Sequence, residues 1–159
     1  VMTIDLQNIN NETIHIPPLM EIWQWEGDVE PLPEKWCTLI HRAFGTSLRS
    51  DQLLTPATFM EKYVSQPQFR KDGFFFLTSR STAVGTAFAW TDQENEKTTG
   101  RLHWVAVDPD YQRLGVGTAL VKLVLKYFHA NDFLNVVLTT EATRTGAIKL
   151  YEQLGFVRR

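Results

Sequence analysis

The sequence predicts a mixed α/β fold with a partly antiparallel sheet, in a single domain spanning residues 1–159. Three observations carry this. Apolar runs crowd between Gly73 and Val107 with only short polar breaks, so strand follows strand there. From Thr118 onward, helical and strand patterns alternate. Between these regions a glycine pair, Gly115 and Gly117, sits where a strand hands over to a helix. A chain of 159 residues is long enough to bury roughly two-thirds of its unfolded surface in one core.

Taken in order, Thr13 to Ile16 reads as a short strand stopped by Pro17-Pro18. Met20 to Glu26 alternates apolar and polar residues through Ile22, Trp23 and Trp25 and reads as another strand. Pro33 opens a helix running to about Phe44, with Trp36, Leu39, Ile40 and Ala43 on one face and Gly45 as stop. Thr55 caps a second helix with Pro56 at its first position and Phe59, Met60, Tyr63 and Val64 as its stripe. Gly73 to Thr78 and Ala83 to Thr91 are strands, and Gly85 marks a bend or a close approach in the latter. Asp92 to Thr99 is a charged loop, and Leu102 to Val107 a third strand of this group. A helix from Thr118 to Ala130 carries Leu120, Val121, Val124, Leu125 and Phe128 on one side. Leu134 to Thr139 is a strand, Thr145 to Leu154 a helix ended by Gly155, and Phe156-Val157 begins a last strand.

Composition excludes several classes of function. A net charge of −2 gives no electrostatic footprint for nucleic acid. Cys37 is the only cysteine, so no internal disulfide or cysteine metal cluster forms, which suits a cytoplasmic setting. His15, His41 and His129 lack ligand spacing, so no metal is expected. No apolar stretch reaches the length of a membrane span, and no membrane partner is expected.

The segment Gln112-Arg113-Leu114-Gly115-Val116-Gly117 is the most informative stretch. At the start of a helix the first N–H groups lack intrahelical partners, and glycines leave them uncovered. Such a mouth binds phosphate oxygens, helped by the helix dipole. A dinucleotide fingerprint is excluded because its third glycine position is Leu120. A Walker loop is excluded because Gly117 is followed by Thr118-Ala119 rather than Lys-Ser/Thr. On spacing alone, a tight turn with no ligand remains the competing explanation.

The run Val105-Ala106-Val107-Asp108-Pro109-Asp110-Tyr111 followed by Gln112 to Gly117 resembles the coenzyme A signature of the GCN5-related N-acetyltransferases (GNAT). The stretch Ala147-Ile148-Lys149-Leu150-Tyr151-Glu152-Gln153-Leu154-Gly155-Phe156 resembles the second element of that family, at a suitable distance and in the right order. The resemblance covers roughly Gly73 to Phe156. It implies a GNAT fold, with a central mixed, mostly antiparallel sheet flanked by helices. It also implies an acyltransferase that moves an acetyl group from acetyl-coenzyme A directly to a primary amine of a small molecule, peptide or protein.

Site roles follow from the resemblance. The N–H groups of Gln112, Arg113, Leu114, Gly115, Val116, Gly117 and Thr118 would hold the pyrophosphate, with Arg113 adding a charge-assisted contact. The strand Val105, Ala106, Val107 would splay from its neighbour and pair with the pantetheine amides, one N–H polarising the thioester carbonyl. Tyr151 would be the general acid, although the stripe Ala147, Leu150, Leu154 also permits a core aromatic. Glu141, near the end of a strand, and His103, on the strand beside the cofactor, are the candidates for the base. For each, a solvated strand-end glutamate or a core histidine is an equal alternative. Trp90 and Trp104 lie on strands near the expected cleft and are candidates to line the acceptor pocket, while the loop Asp92 to Lys97 is a candidate for its rim.

Two departures stand out. Arg144 replaces the asparagine that many relatives place seven residues before the tyrosine, and would make a different cofactor contact. The C-terminal strand hairpin is shortened, because the chain stops at Arg159. The last strand is then absent, replaced by another segment, supplied by a partner chain as in a homodimer, or cut off with the end of the sequence; an open edge would invite pairing. These departures leave open a non-catalytic acyl-coenzyme A sensor of the same fold. The acceptor is not legible.

Overall fold

The computed structural model describes residues 1–9, 13–25, 32–45, 48 and 54–159. Along these run β1 (Met2–Asp5), β2 (Met20–Gln24), α1 (Leu32–Phe44), α2 (Pro56–Phe59), β3 (Phe74–Ser79), β4 (Thr82–Trp90), β5 (Thr99–Val107), α3 (Val116–Ala130), β6 (Asn135–Leu138), α4 (Thr145–Gln153) and β7 (Val157–Arg158). The strands form one sheet in the order β2-β3-β4-β5-β6-β1-β7. Only β5 and β6 run parallel; the other neighbours are antiparallel. The expected mixed, mostly antiparallel sheet flanked by helices is the one observed.

The sheet is covered on both faces, which explains the unbroken run Phe74-Phe75-Phe76-Leu77. Phe75 and Leu77 join the cluster under α3 and α4, with Leu120, Val124 and Phe128. Phe74 and Phe76 join the opposite cluster with Trp36 and Ile40 of α1 and Phe59 of α2. Gly85 of β4 marks a close approach: a Cβ there would lie 2.5 Å from Val116 Cγ1 and 2.7 Å from Leu120 Cδ1. The glycine therefore lets α3 sit down on the sheet.

Two local readings are corrected. Thr13 to Ile16 forms no strand. The first strand is instead Met2–Asp5, inserted between β6 and β7 with Met2 opposite both Leu138 and Arg158. The chain's own N-terminal segment thus forms the strand beside β6. In the second helix, Thr55 caps as expected, its Oγ1 accepting from Thr58 N–H at 3.1 Å. The winding then widens to a π-turn over Met60–Val64, closed by Ser65 N–H to Met60 O at 2.9 Å. Met60 faces solvent, while Phe59 stays fully buried. Of the strand expected over Met20 to Glu26, Glu26 lies outside the described residues.

Candidate functional site

A strand with no neighbour on one side presents free N–H and C=O groups. β5 becomes such a strand partway along. Its pairing with β6 covers Thr99↔Asn135, Gly100↔Val136 and Arg101↔Val137, and β6 ends at Leu138 while β5 continues to Val107. On the other side, β5 stays paired with β4 but carries a bulge. Phe88 faces His103 and Thr86 faces Ala106, so Trp104 and Val105 together oppose Ala87. Trp104 sits at φ +49°, in the left-handed region. The extra residue bends the strand and parts it from β6. A cleft of about 1290 Å³ opens in the gap, with Val105, Ala106 and Val107 along one wall.

The mouth of α3 closes one end of this cleft. Gly115 is its left-handed N-cap at φ +88°, and Arg113 is also left-handed at φ +61°. The helix begins at Val116, two residues before the sequence pattern implies. Its first N–H groups therefore belong to Val116, Gly117 and Thr118, which line the cleft together with Gln112, Arg113 and Gly115. Leu114 is exposed and lies outside the lining. A Cβ on Gly117 would meet Leu150 Cδ1 at 3.6 Å and Val107 Cγ2 at 3.7 Å, ordinary contacts. Folding alone thus tolerates a side chain at 117, and that side chain would enter the cleft. A glycine there fits a ligand that approaches the backbone closely, as a coenzyme A pyrophosphate would.

The strand-to-helix turn is clamped from α1. Arg42 donates from Nε to Asp108 Oδ2 at 2.6 Å and from Nη2 to Asp108 Oδ1 at 3.0 Å, and also reaches Asp110 at 3.2 Å. Asp108 accepts from Asp110 N–H at 2.9 Å, and its own N–H donates to Val84 O at 2.8 Å. The Arg42 hydrogen bond, outweighing burial, holds the Asp108 carboxyl below its ordinary pKa. Nothing in the sequence pattern marked this pair, whose partners are 66 residues apart.

Tyr151 of α4 lines the cleft and is buried, its ring 5.8 Å from Phe156. Burial pushes its hydroxyl up to about 12, so the phenol stays protonated through the ordinary pH range. Arg144, at the N-cap of α4, lies over the Phe44 ring at 4.4 Å and 3.8 Å from Glu141 Oε2. Glu141 lines the cleft but falls beyond the end of β6, so strand alternation does not place it. Its side chain is 60% exposed.

The far end of the cleft is built of side chains. His103 is packed edge-on to Tyr63 at 5.3 Å and to Phe88 at 5.3 Å, and stacks on Trp90 at 6.2 Å. Burial, then the charge of Arg101, pull its imidazole down to about 4, so it is neutral at pH 7. Arg101 grips Asp92 through Nε at 2.6 Å and Nη2 at 2.7 Å, and donates to Thr139 Oγ1 at 3.0 Å. Both Trp90 and Trp104 line the cleft, as does Phe44. Sequence reasoning missed Arg101 and Phe44. The alternation Arg101-Leu102-His103 was the available signal for the first, because residues two apart on a strand share a face. Cys37 is buried outside the cleft, and burial, then the charge of Glu34, push its thiol up to about 11. Among the described residues no group of histidine, cysteine, aspartate or glutamate is arranged to hold a metal. No described helix is long and apolar enough to cross a membrane.

The chain is similar to mycothiol acetyltransferase of Catenulispora acidiphila, 26% identical over 91% of this chain and 52% of the relative. It is also similar to N-alpha-acetyltransferase 30 of Xenopus laevis, 49% identical over 59 residues, or 37% of this chain and 22% of the relative. Among solved structures, a GCN5-related N-acetyltransferase from Sphaerobacter thermophilus superposes with a TM-score of 0.78 at 20% identity, over 99% of this chain and 47% of that one. The chain therefore spans about half the length of the mycothiol acetyltransferase it matches. The model of the acetyltransferase (GNAT) family matches residues 33–156, from α1 through the end of α4, and the chain belongs to that family.

Proposed function

We propose that the chain moves an acetyl group from acetyl-coenzyme A directly to a primary amine of a small molecule, peptide or protein. One observation carries the donor half of this reading. Gly117, which packing does not require, lies at a helix mouth that opens onto the unpaired side of β5. The N–H groups of 116–118 would hold the pyrophosphate and the edge of 105–107 the pantetheine amides. The names of the relatives, mycothiol acetyltransferase and N-alpha-acetyltransferase 30, differ and leave the acceptor open.

In the reaction the neutral amine nitrogen attacks the thioester carbonyl carbon. The carbon–nitrogen bond forms, the carbon–sulfur bond breaks, and the electron pair leaves with sulfur. The nitrogen's surplus proton passes to Glu141 or His103, directly or through water, while Tyr151 protonates the thiolate. A backbone N–H of the bulge polarises the carbonyl oxygen. No acyl-cysteine step enters, since Cys37 is buried away from the cleft. Thiol release with acetyl-coenzyme A across a panel of amines, amino acids and peptides tests the proposal. Turnover with at least one acceptor is expected. Tight donor binding with no turnover for any of them would instead support the sensor.

A further inference from the structure

A bulky residue held in the left-handed region is strained unless its surroundings fix it there. Trp104 is such a residue, at φ +49°, and it forms the bulge that parts β5 from β6. Its indole N–H donates to the Tyr63 hydroxyl at 2.8 Å. Tyr63 does not itself line the cleft. It reaches Trp104 from the π-turn over Met60–Val64, on the same side of the helix as Phe59. Its ring is wedged edge-on against Trp90 at 5.3 Å, His103 at 5.3 Å and Phe88 at 5.5 Å. Trp104 is also braced by Trp36 at 5.4 Å and Phe44 at 5.9 Å, and among the described residues Tyr63 is the one that holds its polar edge. A π-turn, a strained bulge and one hydrogen bond thus meet at a single point, 41 residues apart in sequence.

We propose that Tyr63 is a positioning residue for acyl transfer: its hydroxyl holds Trp104 in the left-handed bulge and so aims the backbone N–H groups of residues 104 and 105 at the thioester. This rests on the acetyl-transfer reading above. Without the hydroxyl, the indole N–H loses its partner and residue 104 relaxes toward ordinary strand geometry. β5 then straightens and its wall moves into the space meant for the donor. A tyrosine that merely filled the aromatic cluster would instead lower stability alone when its hydroxyl was removed.

The test is Tyr63→Phe in the full chain, alone and combined with Trp104→Gly. Glycine adopts φ near +49° without strain, so the bulge no longer needs holding. The expected result for Tyr63→Phe is about a fivefold loss of acetyl-coenzyme A affinity by calorimetry, the worth of one part-buried neutral hydrogen bond. At saturating donor, kcat should fall about tenfold as the oxyanion donor drifts from its aim. The Trp104 indole N–H resonance should shift upfield. In the Trp104→Gly background, Tyr63→Phe should change neither affinity nor kcat further. Should glycine at 104 prevent folding, Trp104→Asn serves, since asparagine also tolerates this conformation. Equal losses from Tyr63→Phe in both backgrounds, or a lowered Tm with unchanged affinity and kcat, would overturn the proposal. If the wild type acetylates no amine, the acetyl-transfer reading fails by itself, and the affinity cycle still decides whether Tyr63 holds the bulge.

Discussion

At its α3 end the cleft runs past Gly115, Gly117 and the stretch of β5 that β6 leaves unpaired, where backbone groups are open to a ligand, whereas at its β4 end it is lined by Trp90, Asp92, Arg101 and His103. The two ends differ in what a ligand can read. Backbone N–H groups and a helix dipole recognise phosphate and amide groups whatever side chains surround them. Side chains recognise shape and charge, and each substitution changes the answer. An enzyme of the proposed kind keeps one donor while its acceptor varies, and this division of materials suits that demand. The α3 end should therefore be broken by adding atoms to the backbone, and the β4 end by changing a side chain's chemistry.

The largest effect is expected at Gly117. In Gly117→Val the branched side chain would occupy the space between Val107 and Leu150. Acetyl-coenzyme A affinity should fall by about a hundredfold or more, because a β-branched group displaces the ligand from the N–H groups it needs. In the companion Gly117→Ala variant unfolding should barely move, because a Cβ at 117 meets only ordinary contacts. Calorimetry and thermal unfolding of both variants check this. A large Tm loss with unchanged affinity would mean the glycine serves only the turn.

Tyr151→Phe should act on the chemistry and spare binding. A kcat loss of about a hundredfold or more, with donor affinity unchanged, is expected if the phenol protonates the leaving thiolate. Because burial lifts that hydroxyl to about 12, Tyr151 should contribute no basic limb to the pH–rate profile below about pH 10. Retained turnover in the phenylalanine variant would return Tyr151 to the role of a core aromatic.

How far the two ends were legible in the sequence follows from the same division. The α3 end is one continuous stretch, so its glycines and the strand before it stand side by side in the chain. The β4 end gathers Phe44, Asp92, Arg101 and Trp104 from separate elements, and their meeting depends on strand pairings that periodicity does not encode. The fold divides similarly. Helices α1, α3 and α4 announce themselves through a one-sided apolar stripe. β1 does not, because Met2, Thr3 and Ile4 are all buried and leave no alternation to read. Thr13 to Ile16 does alternate, yet it finds no neighbour to pair with. The π-turn after Phe59 was invisible for the opposite reason: its residues suit an ordinary helix, and nothing in their pattern marks the added residue.

His103 sharpens the β4 end through pH. Its imidazole titrates near 6.5 in the unfolded chain and about 4 in the folded one. Between those values the unfolded state binds a proton that the folded state refuses, so stability should drop as pH falls from about 6.5 to 4. His103→Phe should flatten that part of the stability curve, as measured by denaturant unfolding at several pH values. If His103 is also the base, kcat/KM in the wild type should lack an acid limb near 6.5 and lose activity only toward pH 4. A limb near 6.5 that vanishes in the phenylalanine variant would contradict the burial that the aromatic cluster imposes.

The smallest and most discriminating effect is expected at Gly146, in the first turn of α4. It lines the cleft, and a Cβ built there meets nothing within 4 Å. No left-handed angle or tight contact asks for glycine, and alanine at such a helical position should stabilise the fold by about 0.5–1 kcal/mol. A residue that costs stability without a packing reason, on the wall of a cleft, points to a group that passes close to it. Gly146→Ala should therefore raise Tm by a few degrees while lowering kcat/KM by about two- to tenfold. Which KM rises tells which ligand runs past α4. A change confined to acetyl-coenzyme A would extend the donor end of the cleft from α3 to α4. A change confined to the amine would assign α4 to the acceptor wall, beside Arg144 and Phe44. A stabilised protein with both constants unaltered would show that the open space at 146 is solvent alone.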